Sequence, residues 1–168
     1  LIGAILIIGS SAVIGNTVAQ DYLKRPKQLQ ELTSGFVLLE TEISYAKTPL
    51  AEALIRAGGR KDSITQKIFK TTSHLISLQN QLPGQAWEIA VTTAYQHSSL
   101  TPEDRDVLLA FGVNLGSCNS IDQLKYIALV KERLRANEIS ARDKTEETVR
   151  MWRYLGFGIG SIIALMLY

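Results

Sequence analysis

The chain has 168 residues, of which 46% are hydrophobic, and its formal net charge is only +2. Such a small net charge excludes the strong basic field by which many proteins attract nucleic acid, so we expect no nucleic-acid partner. The single cysteine cannot form an internal disulfide, which favours a reducing compartment. The length is sufficient for one domain of ordinary size together with anchoring segments.

Both ends of the chain, residues 1–20 and 154–168, contain no charged residue, and all 18 Lys and Arg residues lie between them. A helix crosses a bilayer with about 20 apolar residues. The first end therefore predicts a transmembrane helix over residues 1–22, because its apolar run is longer than that of a cleaved signal peptide. The second end predicts a transmembrane helix over residues 151–168, with a shallow or re-entrant helix as the alternative. Membrane lipid is thus an expected partner.

Basic residues flank both predicted membrane segments on the side of the charged middle of the chain. They are Lys24, Arg25 and Lys27 after the first segment, and Arg150 and Arg153 at the second. Positive residues close to a membrane helix stay on the cytoplasmic side. The domain over residues 23–150 is therefore predicted to be cytoplasmic, with both termini on the other side of the membrane.

The middle of the chain shows helical periodicity and no strand pattern. Thr48 is predicted to cap a second helix with Pro49 in its first turn, and Ser63 and Gln66 are predicted to form a capping box. From Ser120 to Gly156 no Gly or Pro occurs, which predicts one helix that runs from the domain into the second anchor. The first helix is predicted from apolar residues at spacings of three and four, namely Leu29, Leu32, Phe36, Leu39 and Ile43. Further helix starts or ends are predicted at Gly58-Gly59, Leu82-Pro83, Thr101-Pro102, Gly116 and Ser120-Ile-Asp-Gln123.

These signals predict an all-α fold, in which a cytoplasmic bundle of about six helices is flanked by two transmembrane helices.

Residues that could support catalysis or hold a metal or cofactor do not form a recognisable pattern. His74 and His97 have no Cys or carboxylate at zinc-ligand spacing, and Cys118 has no histidine near it in the sequence. Glu40 and Glu42 are two residues apart, so on a helix they do not share a face. We therefore predict a non-enzymatic protein without a cofactor. The alternatives are a regulatory membrane protein and a small membrane-bound hydrolase that uses Glu40, Glu42 or His74.

An acidic cluster with an aromatic residue lies at the end of the first predicted helix and in the turn after it. We predict that Glu40, Glu42, Tyr45 and Glu52 form a partner-docking surface, because docking surfaces combine exposed charge with apolar anchors. The alternatives are that these residues cap helices and fill the core, or that a partner docks on the long helix after Ser120.

Small residues recur at a spacing of four in the second membrane segment, at Gly156, Gly160 and Ala164. This spacing allows two membrane helices to approach closely. It predicts packing either between the two anchors of one chain or between anchors of neighbouring copies in a homo-oligomer.

The chain resembles the stage III sporulation protein AB family of endospore-forming bacteria over essentially its whole length. A departure is Asn119, where the family usually has Asp. The resemblance rests on the following residues: Arg25-Pro26-x-Gln28-Leu29, Leu39-Glu40-Thr41-Glu42-Ile43-x-Tyr45, Thr48-Pro49-Leu50-x-Glu52-Ala53-Leu54, Trp87, Asp106-x-Leu108-x-x-Phe111-Gly112, Leu115-Gly116, Gln123 and Arg153-Tyr154-Leu155-Gly156.

The resemblance implies a component of a sporulation complex in the mother-cell membrane that faces the forespore. It also implies a cytoplasmic helical domain similar to those of the inner-membrane platform proteins of type II secretion and type IV pilus systems. The implied partners are the other proteins of the same sporulation complex and a cytoplasmic secretion-type ATPase, stage III sporulation protein AA.

Overall fold

The structure is a computed structural model that describes the backbone of residues 23–46, 48–115 and 120–166; within these ranges, the side chains of residues 120–121, 147–150 and 152–166 are not described. The described residues contain six α-helices and no strand, which confirms the predicted all-α class. The helices are α1 (23–41), α2 (Leu50–Ala57), α3 (Ile64–Gln79), α4 (Pro83–Tyr95), α5 (Pro102–Val113) and α6 (Ser120–Met166), and a π-helical turn, Glu42–Ala46, follows α1.

The chain divides into two compact units, one of which is Lys27–Glu138 and the other of which contains the two ends of the chain. Helix α6 is continuous to Met166, as predicted from the absence of Gly and Pro between Ser120 and Gly156. In the described residues, no helix has both the length and the hydropathy needed to span a bilayer. The first predicted anchor, residues 1–22, lies outside the described residues. The side chains of the second, including the packing residues Gly156, Gly160 and Ala164, also lie outside the description, so both anchors stay predictions.

The apolar stripe predicted for α1 forms the centre of the unit Lys27–Glu138. Leu29, Leu32, Phe36 and Leu39 are fully buried, whereas Ile43 lies in the π-helical turn and is partly exposed. The wider π-helical turn changes the angle between successive side chains, so the stripe ends at Leu39.

Four aromatic side chains from four helices form the core. Phe36, Phe69, Trp87 and Phe111 are all buried, and the distances between ring centroids run from 5.0 Å for Trp87–Phe111 to 5.9 Å for Phe36–Trp87. Most of these pairs have the edge-to-face geometry that the ring quadrupoles favour. The indole Nε1 of Trp87 donates a hydrogen bond of 2.7 Å to the carbonyl of Leu108, so the only polar group of the indole is satisfied. This core joins α1, α3, α4 and α5.

Two of the predicted helix caps are wrong in detail. Thr48 does not cap α2, because α2 begins at Leu50 with Pro49 as its N-cap and without a side-chain cap. The Thr48 hydroxyl instead donates to the Glu42 carboxylate at 3.0 Å. At α3, Ser63 Oγ accepts from the backbone N–H of Gln66 as predicted, at 3.1 Å.

The second hydrogen bond of the capping box predicted at α3, from the N–H of Ser63 to the Gln66 side chain, is absent. The N–H of Ser63 is instead bonded to the carbonyl of Arg60. The Gln66 side chain therefore accepts from the N–H of Asp62, which has a left-handed φ of 63°. By contrast, the start predicted at Thr101 is a complete capping box, in which Thr101 and Asp104 bond to each other's backbone N–H groups.

Consecutive helices from α2 to α5 pack on each other and are joined by short connections, which makes neighbouring helices antiparallel. For example, a Cβ built on Gly84 would lie 2.8 Å from the carbonyl oxygen of Gly112, so the start of α4 lies beside the end of α5. The amide of Ser99 donates to the Gln28 side chain at 2.9 Å, which places the loop after α4 beside the start of α1.

The antiparallel arrangement defines two ends of the unit Lys27–Glu138. The proximal end contains the residues where the unit begins and finishes, Lys27 and Glu138, together with the loop 96–101. Asn137 belongs to it because its side-chain amide donates to Asp104, at the start of α5, at 2.7 Å. The distal end is the opposite one, and it contains the π-helical turn, residues 48–50, the turn at residues 80–82 and the end of α5.

Candidate functional site

At the distal end, two of the predicted docking residues, Glu42 and Glu52, both contact Arg56, which we did not predict. The Arg56 guanidinium lies 2.6 Å from the Glu52 carboxylate and 3.6 Å from that of Glu42. Glu42 is held further by the hydroxyl of Thr48. The two carboxylates and the guanidinium thus form a charge cluster with a net charge of −1 between the π-helical turn and α2.

The charge state of Arg56 follows from this arrangement. Its pKa is raised above the ordinary value, first by the hydrogen bond to Glu52 and then by the negative charges of Glu52 and Glu42. The guanidinium therefore stays protonated at every pH at which the protein is folded. Because these side chains are partly or largely exposed, the cluster contributes little to stability, but it presents charge of both signs to solvent.

The other two predicted docking residues lie apart from this cluster. Glu40 forms an ion pair with Lys131 of α6, and both side chains are less than one third exposed. This pair connects α1 to α6, so Glu40 is occupied in holding the bundle together. Tyr45 is 86% exposed in the π-helical turn, which is an unusual position for an aromatic side chain.

Sequence reasoning missed Arg56 and Lys131. Arg56 could have been found, because it follows Glu52 by four residues and oppositely charged residues at this spacing meet on a helix surface. Lys131 is separated from Glu40 by 91 residues, so no local pattern predicts their contact.

The most exposed large apolar side chains of the described residues lie at the distal end. Besides Tyr45, Val113 is 79%, Leu78 is 70% and Leu82 is 66% exposed. They come from the end of α5, the end of α3 and the turn between α3 and α4. A continuous apolar patch is typical of a surface that another protein covers, and Leu82 and Val113 line one such groove.

Two of these side chains line a groove of about 480 Å³ between the start of α4 and the end of α5. Its position is set by the close approach of the two helices at Gly84 and Gly112, because a Cβ at Gly112 would lie 2.5 Å from the Trp87 ring. The groove was not predicted, since the contact of α4 with α5 depends on the fold. Its lining residues are Leu82, Pro83, Gly84, Gln85, Glu88, Leu109, Gly112, Val113 and Leu115.

A second groove, of about 260 Å³, lies between α1 and the turn that precedes α3. Lys27 and Arg60 line it together with Glu31, so its lining carries charges of both signs. The hydroxyl of Thr65 also lies at this groove; it is buried and has no hydrogen-bond partner. Of the two grooves, this one is the more polar in its lining residues.

The residues considered for catalysis are not brought together. His74 and His97 are both exposed and lie on α3 and in the loop after α4. The Glu42 carboxylate is engaged by Thr48 and Arg56, and that of Glu40 by Lys131. Within the described part of the chain, no three His, Cys, Asp or Glu side chains are placed to bind a metal ion together. Cys118 lies outside the described residues.

Comparison with known proteins agrees with this fold. The family model for stage III sporulation protein AB matches residues 1–168. A relative from Bacillus subtilis (strain 168), named stage III sporulation protein AB, is 29% identical over 167 residues, which are 99% of this chain and 98% of the relative. A solved structure of stage III sporulation protein AB is similar with a TM-score of 0.67 and 28% identity, over 73% of this chain and 97% of that one. The family match spans the whole sequence, so the chain belongs to the stage III sporulation protein AB family.

Proposed function

We propose that the protein is a non-catalytic platform component of a sporulation-specific complex that crosses the envelope between mother cell and forespore. In this proposal, two membrane anchors hold the bundle on the cytoplasmic side, and the bundle docks a cognate secretion-type ATPase. The family membership supports the sporulation role. The basic residues beside both predicted anchors support the orientation.

The observation that most directly supports docking is the composition of the distal end. The four most exposed large apolar side chains of the described residues share it with the Glu42–Arg56–Glu52 cluster. Aromatic and arginine residues supply much of the binding energy at protein interfaces, and here Tyr45 and Arg56 are both accessible.

The hydrolase alternative receives less support from the same residues. A general base must lie within reach of its substrate, and both carboxylates named for this role are instead engaged by basic side chains of the bundle. The names of the relatives denote a stage of sporulation and no reaction.

Binding of the purified full-length chain to the cognate ATPase tests the proposal. We expect Tyr45→Ala and Glu52→Lys each to weaken binding, because both side chains are exposed at the distal end. Glu132→Lys, which makes the same charge change on the exposed surface of α6, is the matched control and should bind as the wild type does. If both distal variants bind as tightly as the control, the docking surface is elsewhere; if the wild type does not bind the ATPase, the proposed function is wrong.

A further inference from the structure

We propose that the groove between α4 and α5 receives an amphipathic helix of the ATPase, with a Lys or Arg of that helix beside Glu88. This inference rests on the proposed function and adds to it the binding site and the chemistry of the bound segment. It concerns residues that lie outside the predicted docking cluster.

The walls of the groove are apolar. Leu82 and Val113 line it and are largely exposed, and Leu109 and Leu115 line it from α5 and the turn after α5. A groove with apolar walls between two antiparallel helices is suited to an amphipathic helix, whose apolar side chains recur at spacings of three and four. Covering these walls would remove from water the apolar surface that the distal end otherwise exposes.

The floor of the groove is formed where α4 and α5 approach each other closely. Gly84 and Gly112 bring the backbones of α4 and α5 together, and Trp87 holds them through its hydrogen bond to Leu108. Trp87 is fully buried in the aromatic core, so the floor of the groove is continuous with that core. A preformed groove binds without the free-energy cost of ordering its walls.

The charge of the groove indicates the sign of its ligand. Glu88 is the single charged residue among the described residues that line the groove. It is exposed, and no ion-pair partner for it occurs in the described residues. A carboxylate at the rim of an apolar groove favours a partner helix with a basic residue next to its apolar stripe. The other polar lining residue, Gln85, is neutral, so it does not repel a basic residue of the partner helix.

The groove is tested with variants of the full-length chain that leave its floor intact. In the first variant, Leu82→Ser and Val113→Ser are combined; both side chains are mostly exposed, so the fold should be retained and circular dichroism should be unchanged. The second variant is Glu88→Lys. The matched controls are Leu129→Ser and Glu132→Lys, which make the same changes on the exposed surface of α6.

We expect the apolar double variant to bind the cognate ATPase about tenfold more weakly or worse, mainly through faster dissociation. Glu88→Lys should slow association, and Glu88→Gln should make binding less sensitive to salt than it is for the wild type, because a rim charge steers the encounter. If the wild type binds and the groove variants bind as tightly as the controls, the inference is overturned while the proposed function stands. If the wild type itself does not bind the ATPase, both are overturned.

Discussion

Replacement of Trp87 by alanine should remove a large part of the stability of the unit Lys27–Glu138. Trp87 is fully buried, contacts the rings of Phe36, Phe69 and Phe111, and donates a hydrogen bond to the carbonyl of Leu108. Removal of a buried Trp side chain to alanine costs about 3–5 kcal/mol. Since domains are stable by only about 5–15 kcal/mol, the variant should lie close to unfolding.

The variant Trp87→Phe separates the contribution of the indole hydrogen bond from that of the buried ring. It keeps a ring in the core and removes the indole N–H, so we expect a loss of about 2 kcal/mol, of which about 1 is the hydrogen bond and about 1 is unfilled volume. Urea unfolding of the full-length chain, followed by far-UV circular dichroism, measures both losses. Ile89→Ala is the control on the same helix, because Ile89 is 44% exposed; it should change the free energy of unfolding by less than about 0.5 kcal/mol. If Trp87→Ala costs no more than Ile89→Ala, the proposed core is wrong.

Two further predictions concern contacts that hold α1 and α6. Gly35→Ala should destabilise the protein by about 1–3 kcal/mol, because the new methyl group would lie 2.2 Å from Cγ2 of Thr65. Thr65→Ser removes that Thr65 methyl group, so the double variant should regain stability in urea unfolding. If the losses of the two single variants simply added in the double variant, the contact would be contradicted. Asn137→Ala should cost about 1 kcal/mol, because the fully buried carboxylate of Asp104 loses a hydrogen bond of 2.7 Å. Asp104→Ala should cost more than Asn137→Ala in the same assay, since it also removes the acceptor for the N–H of Thr101, and the reverse order would show that the capping box does not matter.

Much of the fold could be predicted from local pattern. The stripe of α1 is buried from Leu29 to Leu39 as its periodicity requires, and the start of α5 follows from Thr101 and Asp104. The errors arose where one hydrogen-bonding group had several partners within reach. Thr48 bonds to Glu42 instead of capping α2, since the π-helical turn places that carboxylate next to it, and no propensity marks a π-helical turn in advance.

The candidate site could be predicted only in part. Tyr45 and Glu52 were singled out by composition, and both are exposed at the distal end. The assignment of Glu40 to docking stays untested, and the structure also shows it paired with Lys131 of α6. The groove could not be found from sequence, because it depends on the close approach of two helices at Gly84 and Gly112, which are separated by 28 residues in the printed sequence.

Hydrogen exchange of the full-length chain with and without its cognate ATPase tests the central claim, docking at the distal end, most directly. Exchange reports local opening along the chain, so it identifies the covered end without any substitution. We expect the ATPase to slow exchange in the segments 42–56, 79–88 and 109–115. The turn 58–63, which lines the second groove together with Lys27, and the loop 95–101 lie at the proximal end and should exchange as they do in the free chain. Slower exchange confined to the proximal segments would contradict the account.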